Sequence, residues 1–153
     1  MSYETSETCA VKYELELPIQ ARSDVVWKSL VEETNAWWLP DFHMVGANSV
    51  VSFDAQAGGQ LLERSTDGGS LLWYTVQMCL PKKSIHLVGH MAPAFGGPAI
   101  SMLELALEDK DGGTLFIVRE AIFGDTSESG AKCQSEGWEL LFGDGLRKFA
   151  ESK

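Results

Sequence analysis

Few side chains in this chain are of a type and spacing that could carry chemistry. Leu115, Ile117 and Arg119 share one side of an alternating segment, so Arg119 is the charged member of an apolar row. Turned inward, it would anchor a carboxylate or phenolate. One residue out of register, it faces solvent beside Glu120. Phe116 and Val118, on the opposite row, are also apolar, so alternation leaves both readings open. Glu104 interrupts Leu103, Leu105 and Leu107. Buried, its pKa would rise and it could act as a general acid or base. The pattern favours the outward direction, where it is a surface charge.

Metal and nucleophile chemistry find less support. His86 and His90 fall on one face of a strand, about 13 Å apart at the rise of extended chain, too far to share an ion bound at roughly 2 Å. His43 follows Asp41 by two residues without further ligands nearby. Cys133 has no neighbouring histidine, there is no G-x-S-x-G elbow, and Gly58-Gly59 and Gly112-Gly113 lack the Gly-Lys-Ser/Thr of a phosphate loop. No metal, cofactor or catalytic set is expected.

The elements that must position these residues follow from periodicity. Cys9 to Leu17 alternates as a strand, with Pro18 as its stop. Ser23 and Asp24 suit a helix start; Val26, Trp27, Leu30 and Val31 supply its apolar side, and a second short helix reaches Trp38 before Pro40. From Ser49 the period is two. Strands are expected at Ser49–Phe53, Gln60–Ser65, Leu71–Leu80, Ser84–His90, Ile100–Leu107 and Thr114–Ile122, with Trp73 and Tyr74 on opposite faces. Asp67-Gly68-Gly69 marks a hairpin. Trp138, Leu141, Phe142, Gly145 and Phe149 form one stripe of a final helix that starts between Ser127 and Cys133. The class is α+β, an antiparallel meander with helices at its ends. Gly145 on the stripe either leaves cavity volume, permits close helix–sheet approach or marks a kink.

The composition bounds the rest. One domain spans 153 residues, with residues 1–8 expected as a disordered tail. A net charge of −10 argues against nucleic acid and anionic membrane surfaces and favours a neutral or cationic partner. No apolar run is long enough to span a membrane. Cys9, Cys79 and Cys133 read as reduced thiols in a cytoplasmic protein. A homodimer is compatible with the sequence.

These pieces together resemble the START-like superfamily, also called SRPBCC, Bet v 1-like or helix-grip. The carriers are Tyr13-Glu14 through Ser23-Asp24-Val25-Val26-Trp27, Trp37-Trp38-Leu39-Pro40, Ala57-Gly58-Gly59, Gly112-Gly113-Thr114 and Gly137-Trp138. The chain is most similar to the bacterial branch named for the activator of the heat-shock-protein-90 ATPase. The resemblance implies a seven-stranded curved antiparallel sheet around the C-terminal helix, two short helices between strands 1 and 2, and a deep apolar cavity between sheet and helix. It implies binding of a small hydrophobic or aromatic ligand, lipid-, sterol- or polyketide-like. The alternatives are a polyketide cyclase or dehydratase using Arg119 or Glu104, and a chaperone-ATPase activator that works through its surface. The cavity wall is expected from Trp38, Phe53, Trp73, Met102, Leu105, Ile117, Arg119, Trp138, Leu141, Phe142 and Gly145, each of which could equally be core packing.

Overall fold

The computed structural model describes all of residues 1–153. Residues 1–8 are exposed and carry no regular secondary structure. Seven strands follow: β1 (Cys9–Ile19), β2 (Val50–Phe53), β3 (Gln60–Arg64), β4 (Ser70–Leu80), β5 (Ser84–Met91), β6 (Ala99–Lys110) and β7 (Gly113–Gly124). They form one antiparallel sheet in the order β1-β7-β6-β5-β4-β3-β2. Helices α1 (Ser23–Glu32) and α2 (Thr34–Trp37) lie between β1 and β2. Pro18 does not stop β1: it pairs with Leu115 within the strand. β1 lies at the margin of the sheet, where a missing N–H is tolerated.

The C-terminal helix opens at Ser127, whose hydroxyl accepts the Gly130 N–H at 3.1 Å, an N-cap that satisfies a donor with no intrahelical partner. It runs as α3 (Glu128–Leu140), widens into a π-helical segment over Leu141–Arg147, and finishes as α4 (Lys148–Glu151). The wider turn advances the buried stripe by a residue. Trp138, Leu141, Phe142, Gly145 and Leu146 are buried as the spacing requires, but the stripe then ends on Ala150 rather than on the expected Phe149, which is half-buried.

Strand alternation decides which side chains meet this helix. On β7 the inner row is Phe116, Val118, Glu120 and Ile122; on β6 it is Ser101, Leu103, Leu105 and Leu107. These rows, with Ile85 and Leu87 of β5, form the core against α1 and the C-terminal helix. The outer row of β7 is apolar at its start as well: Leu115 and Ile117 pack with Ala106 in a small separate cluster.

At Gly145 the helix runs close against Trp37 at the end of α2. A Cβ there would stand 2.6 Å from the Trp37 carbonyl oxygen. Close approach, not spare volume, is therefore why this position is glycine. Gly137, on the same helix, has nothing within 4 Å of the same position. Gly145→Ala should destabilise the protein by about 1–3 kcal/mol through overpacking, whereas Gly137→Ala should stabilise it by about 0.5–1 kcal/mol through helix propensity. Urea unfolding of the two variants checks the pair, and equal effects would contradict this account.

Candidate functional site

The inner surface carries two buried carboxylates and, between them, a layer of aromatic rings. Glu120, only 2% exposed, is the more enclosed in chemistry. Its Oε1 accepts from Ser101 Oγ and Gln134 Nε2, each at 2.6 Å, and its Oε2 accepts from Trp138 Nε1 at 2.9 Å and from the Tyr13 hydroxyl. Ser101 in turn is bonded to the Tyr74 hydroxyl at 2.8 Å. The local sequence explains the convergence. Tyr13 stands directly opposite Glu120 in the β1–β7 ladder, and Gln134 and Trp138 are four residues apart, on one helix face. Gly89 on β5 makes room for the Tyr74 ring, since a Cβ there would lie 2.8 Å from it.

Burial pushes the Glu120 carboxyl above its ordinary value; hydrogen bonds from Ser101, Tyr13 and Trp138 pull it back without cancelling the rise. Tyr13 is raised by burial, then by the Glu120 charge and by its hydrogen bond to that carboxylate. Tyr74 is raised by burial and by the Glu120 charge. Both phenols stay donors.

Glu63 is fully buried at the other end. It accepts from the Val45 N–H at 3.0 Å, Ser49 Oγ at 2.7 Å and Trp73 Nε1 at 3.0 Å. Burial raises its carboxyl, but these hydrogen bonds together outweigh burial and hold it below the usual range. His43 is bonded to Ser49 at 2.7 Å and lies 4.0 Å from Glu63, so its partners are these and not the Asp41 suggested by sequence. The serine sits between acid and imidazole, which is not the order of a nucleophilic triad.

A β-bulge brings Trp73 into this layer. Leu61 pairs with Tyr74 and Leu62 with Leu72, leaving Trp73 as the extra residue. Trp73 and Tyr74 therefore both reach the inner side, one to Glu63 and one to Ser101, instead of pointing to opposite faces. Trp73 meets Trp38 edge-on at 5.4 Å, and Trp138 stacks on Phe142 at 5.4 Å and 16°. Against Trp38, Trp138 and Phe142, but not Trp73, lies a void of about 10 Å³, room for roughly one water. Its wall includes Trp38, Phe53, Leu105, Trp138 and Phe142. Leu141 is fully buried in the same core without lining the void, and Gly145 abuts Trp37. The deep cavity expected from the resemblance is thus occupied by side chains.

Three expected wall residues lie on the other side of the sheet. Met102 is 55% exposed, and Ile117 belongs to the outer cluster. Arg119 is also outside, its side chain 41% exposed and held by Glu14 at 2.6 Å and Glu104 at 3.2 Å. Leu103 and Leu105 occupy the inward register of β6, which sends Met102 and Glu104 out; the same alternation on β7 exchanges Arg119 for Glu120. Glu104 is outward as the pattern favoured. Met102, Glu104 and Arg119 border an open groove of about 500 Å³ that also includes Lys12, Glu14 and His86. Its charges are largely paired with one another, His86 standing 3.8 Å from Glu104.

This is the Bet v 1-like helix-grip fold, with an aromatic-filled interior. The chain matches no protein-family model and no curated protein. Among solved structures, an uncharacterised protein from Rhizobium leguminosarum aligns with a TM-score of 0.68 at 20% identity, over 96% of this chain and 98% of that one. Ara h 8.0201 aligns with a TM-score of 0.70 at 11% identity, over 95% and 100%. CalU16 from Micromonospora echinospora gives 0.60 at 16% identity, over 96% and 87%. At such identities the likeness is one of fold.

Two outcomes test the site's electrostatics. Glu120's folded value lies above the ordinary 4.5. Its contribution to stability is therefore fully present below the unfolded value and is lost as pH rises through the folded one. The deficit of Glu120→Gln in urea unfolding should shrink from about pH 4 to about pH 8; a deficit that grows with pH would reverse the assignment. Arg119→Ala, which removes an outer-face charge, should cost no more than about 1 kcal/mol.

Proposed function

We propose that this protein binds a small, flat, apolar or aromatic molecule between the sheet and the C-terminal helix, admitting it by displacing side chains. The observation that carries this reading is how the rings around the void are held. Trp37 donates its indole N–H to the Ser29 carbonyl, Trp38 to the Phe42 carbonyl and Trp138 to Glu120, while Trp73, packed against Trp38 outside the void, donates to Glu63. Phe53 and Phe142 have no such tether. Phe142 lies in the π-helical segment between Leu141 and Gly143, and touches Trp37, Phe116 and Trp138. Moving it breaks no hydrogen bond. A guest of comparable size would replace its contacts with those three aromatic rings, where ring–ring geometry adds to burial.

The cyclase-like reading loses the residues named for it, because Arg119 and Glu104 are both on the outer face. No helix is long and apolar enough to cross a membrane, and the three cysteines are unpaired, which supports a cytosolic setting for such binding.

A panel of sterols, flavonoids, polyketide-like aromatics and simple polycyclic hydrocarbons should raise the melting temperature for at least one class. Phe142→Leu should lower the stability of the free protein by roughly 1–2 kcal/mol and increase the thermal shift given by the same compound. Absence of any shift at concentrations well above micromolar would remove the proposal, as would a ligand whose binding leaves Phe142 resonances unmoved.

A further inference from the structure

The charge inventory of the interior narrows the guest further. The buried polar residues are Ser29, Ser49, Ser84, Ser101, Thr34, Thr114, Glu63 and Glu120, with no lysine, arginine or histidine among them. Glu63 has His43 at 4.0 Å. Every donor to Glu120 is formally neutral: a serine, an amide, an indole and a phenol. Burying a carboxylate without a counter-charge is costly even when it is fully hydrogen-bonded.

The position of this carboxylate matters as much as its isolation. Trp138 lines the void on one side and donates to Glu120 Oε2. Phe142, whose ring has no hydrogen-bond tether, is stacked on that same indole. A guest occupying the Phe142 position therefore lies against Trp138, with Glu120 at the indole's edge. Were the Trp138 ring to rotate away, Glu120 Oε2 would keep the Tyr13 hydroxyl and lose its indole donor, leaving room for a donor from the guest.

From this geometry we infer that the guest is an aromatic amine in its cationic form, its ring seated against Trp138 and its ammonium bonded to Glu120. The inference rests on the ligand-binding reading above and deepens it. An ammonium replaces the lost indole donor, forms a charge-assisted hydrogen bond and supplies the missing counter-charge. The interior correspondingly disfavours fatty acids and aryl carboxylates, whose charge would meet two buried glutamates with no cation to receive it. The net charge of −10 attracts a cation and repels an anion before either reaches the interior.

Three probes of nearly one shape isolate the charge: 2-(1-naphthyl)ethylammonium, 1-ethylnaphthalene and 1-naphthylacetate, titrated at neutral pH and moderate salt with tryptophan fluorescence as the readout. The ammonium should bind about tenfold more tightly than the hydrocarbon, and the carboxylate more weakly than both. In Glu120→Gln the ratio of ammonium to hydrocarbon affinity should fall to near unity. Trp138→Phe, which keeps the carboxylate and removes its indole donor, should instead raise that ratio, and it serves where the glutamate variant does not fold. Equal binding of all three probes, tighter binding of the carboxylate, or a ratio unchanged by both variants would overturn the inference while leaving ligand binding intact. Failure of these probes together with the whole earlier panel would overturn the ligand-binding reading itself.

Discussion

A carboxylate held inside the protein must receive hydrogen bonds on both oxygens, and at Glu120 that requirement links three separate parts of the chain. Tyr13 comes from the first strand, Ser101 from the sixth, and Gln134 and Trp138 from the final helix. Sliding the helix along the sheet by one residue would withdraw two of those donors. Apolar packing alone tolerates such shifts, because leucine against leucine is nearly indifferent to register. The network thus supplies directional constraints that the surrounding aliphatic core lacks, and it sets where Trp138 and Phe142 stand relative to the strands.

Glu63 makes a comparable constraint at the other end, on the loop that includes Val45 and Ser49 and on the bulged strand. Between the two, most of the rings facing the void are pinned by their own N–H groups. The interior is therefore a mixture of fixed and free walls, not a uniformly packed core. That mixture reconciles a helix-grip fold with a void of only about 10 Å³. The indoles are tied to the frame by hydrogen bonds, whereas Phe142 is held by packing alone.

Much of this was legible in the sequence. The meander, the segregated helices and the aromatic stripe of the final helix follow from periods of two and of three to four. The facing of β7 was not legible, and the reason is specific. Both of its rows begin with large apolar residues, because Leu115 and Ile117 have an outer cluster of their own with Ala106. The strand is apolar on both sides where it starts and places an acid and a base side by side where the faces should diverge. Only pairing with β6 and the donors on the final helix decide that Glu120 turns in. That Trp73 and Tyr74 both turn inward, where alternation put them on opposite faces, was missed for a different reason. A bulge breaks alternation without changing composition, so simple parity counts fail there. The widened helical turn likewise moved the stripe from Phe149 to Ala150, a local insertion that no fixed period reveals.

The order of the strands leaves β1 and β2 as the two margins of an open sheet. Unpaired margins invite another chain to continue the ladder, and this molecule blunts both. β2 is only four residues long, and β1 carries Lys12, Glu14, Glu16 and the donor-less Pro18. Strand-to-strand growth between copies is thereby discouraged. The edge features thus weigh against self-association through the flanks of the sheet.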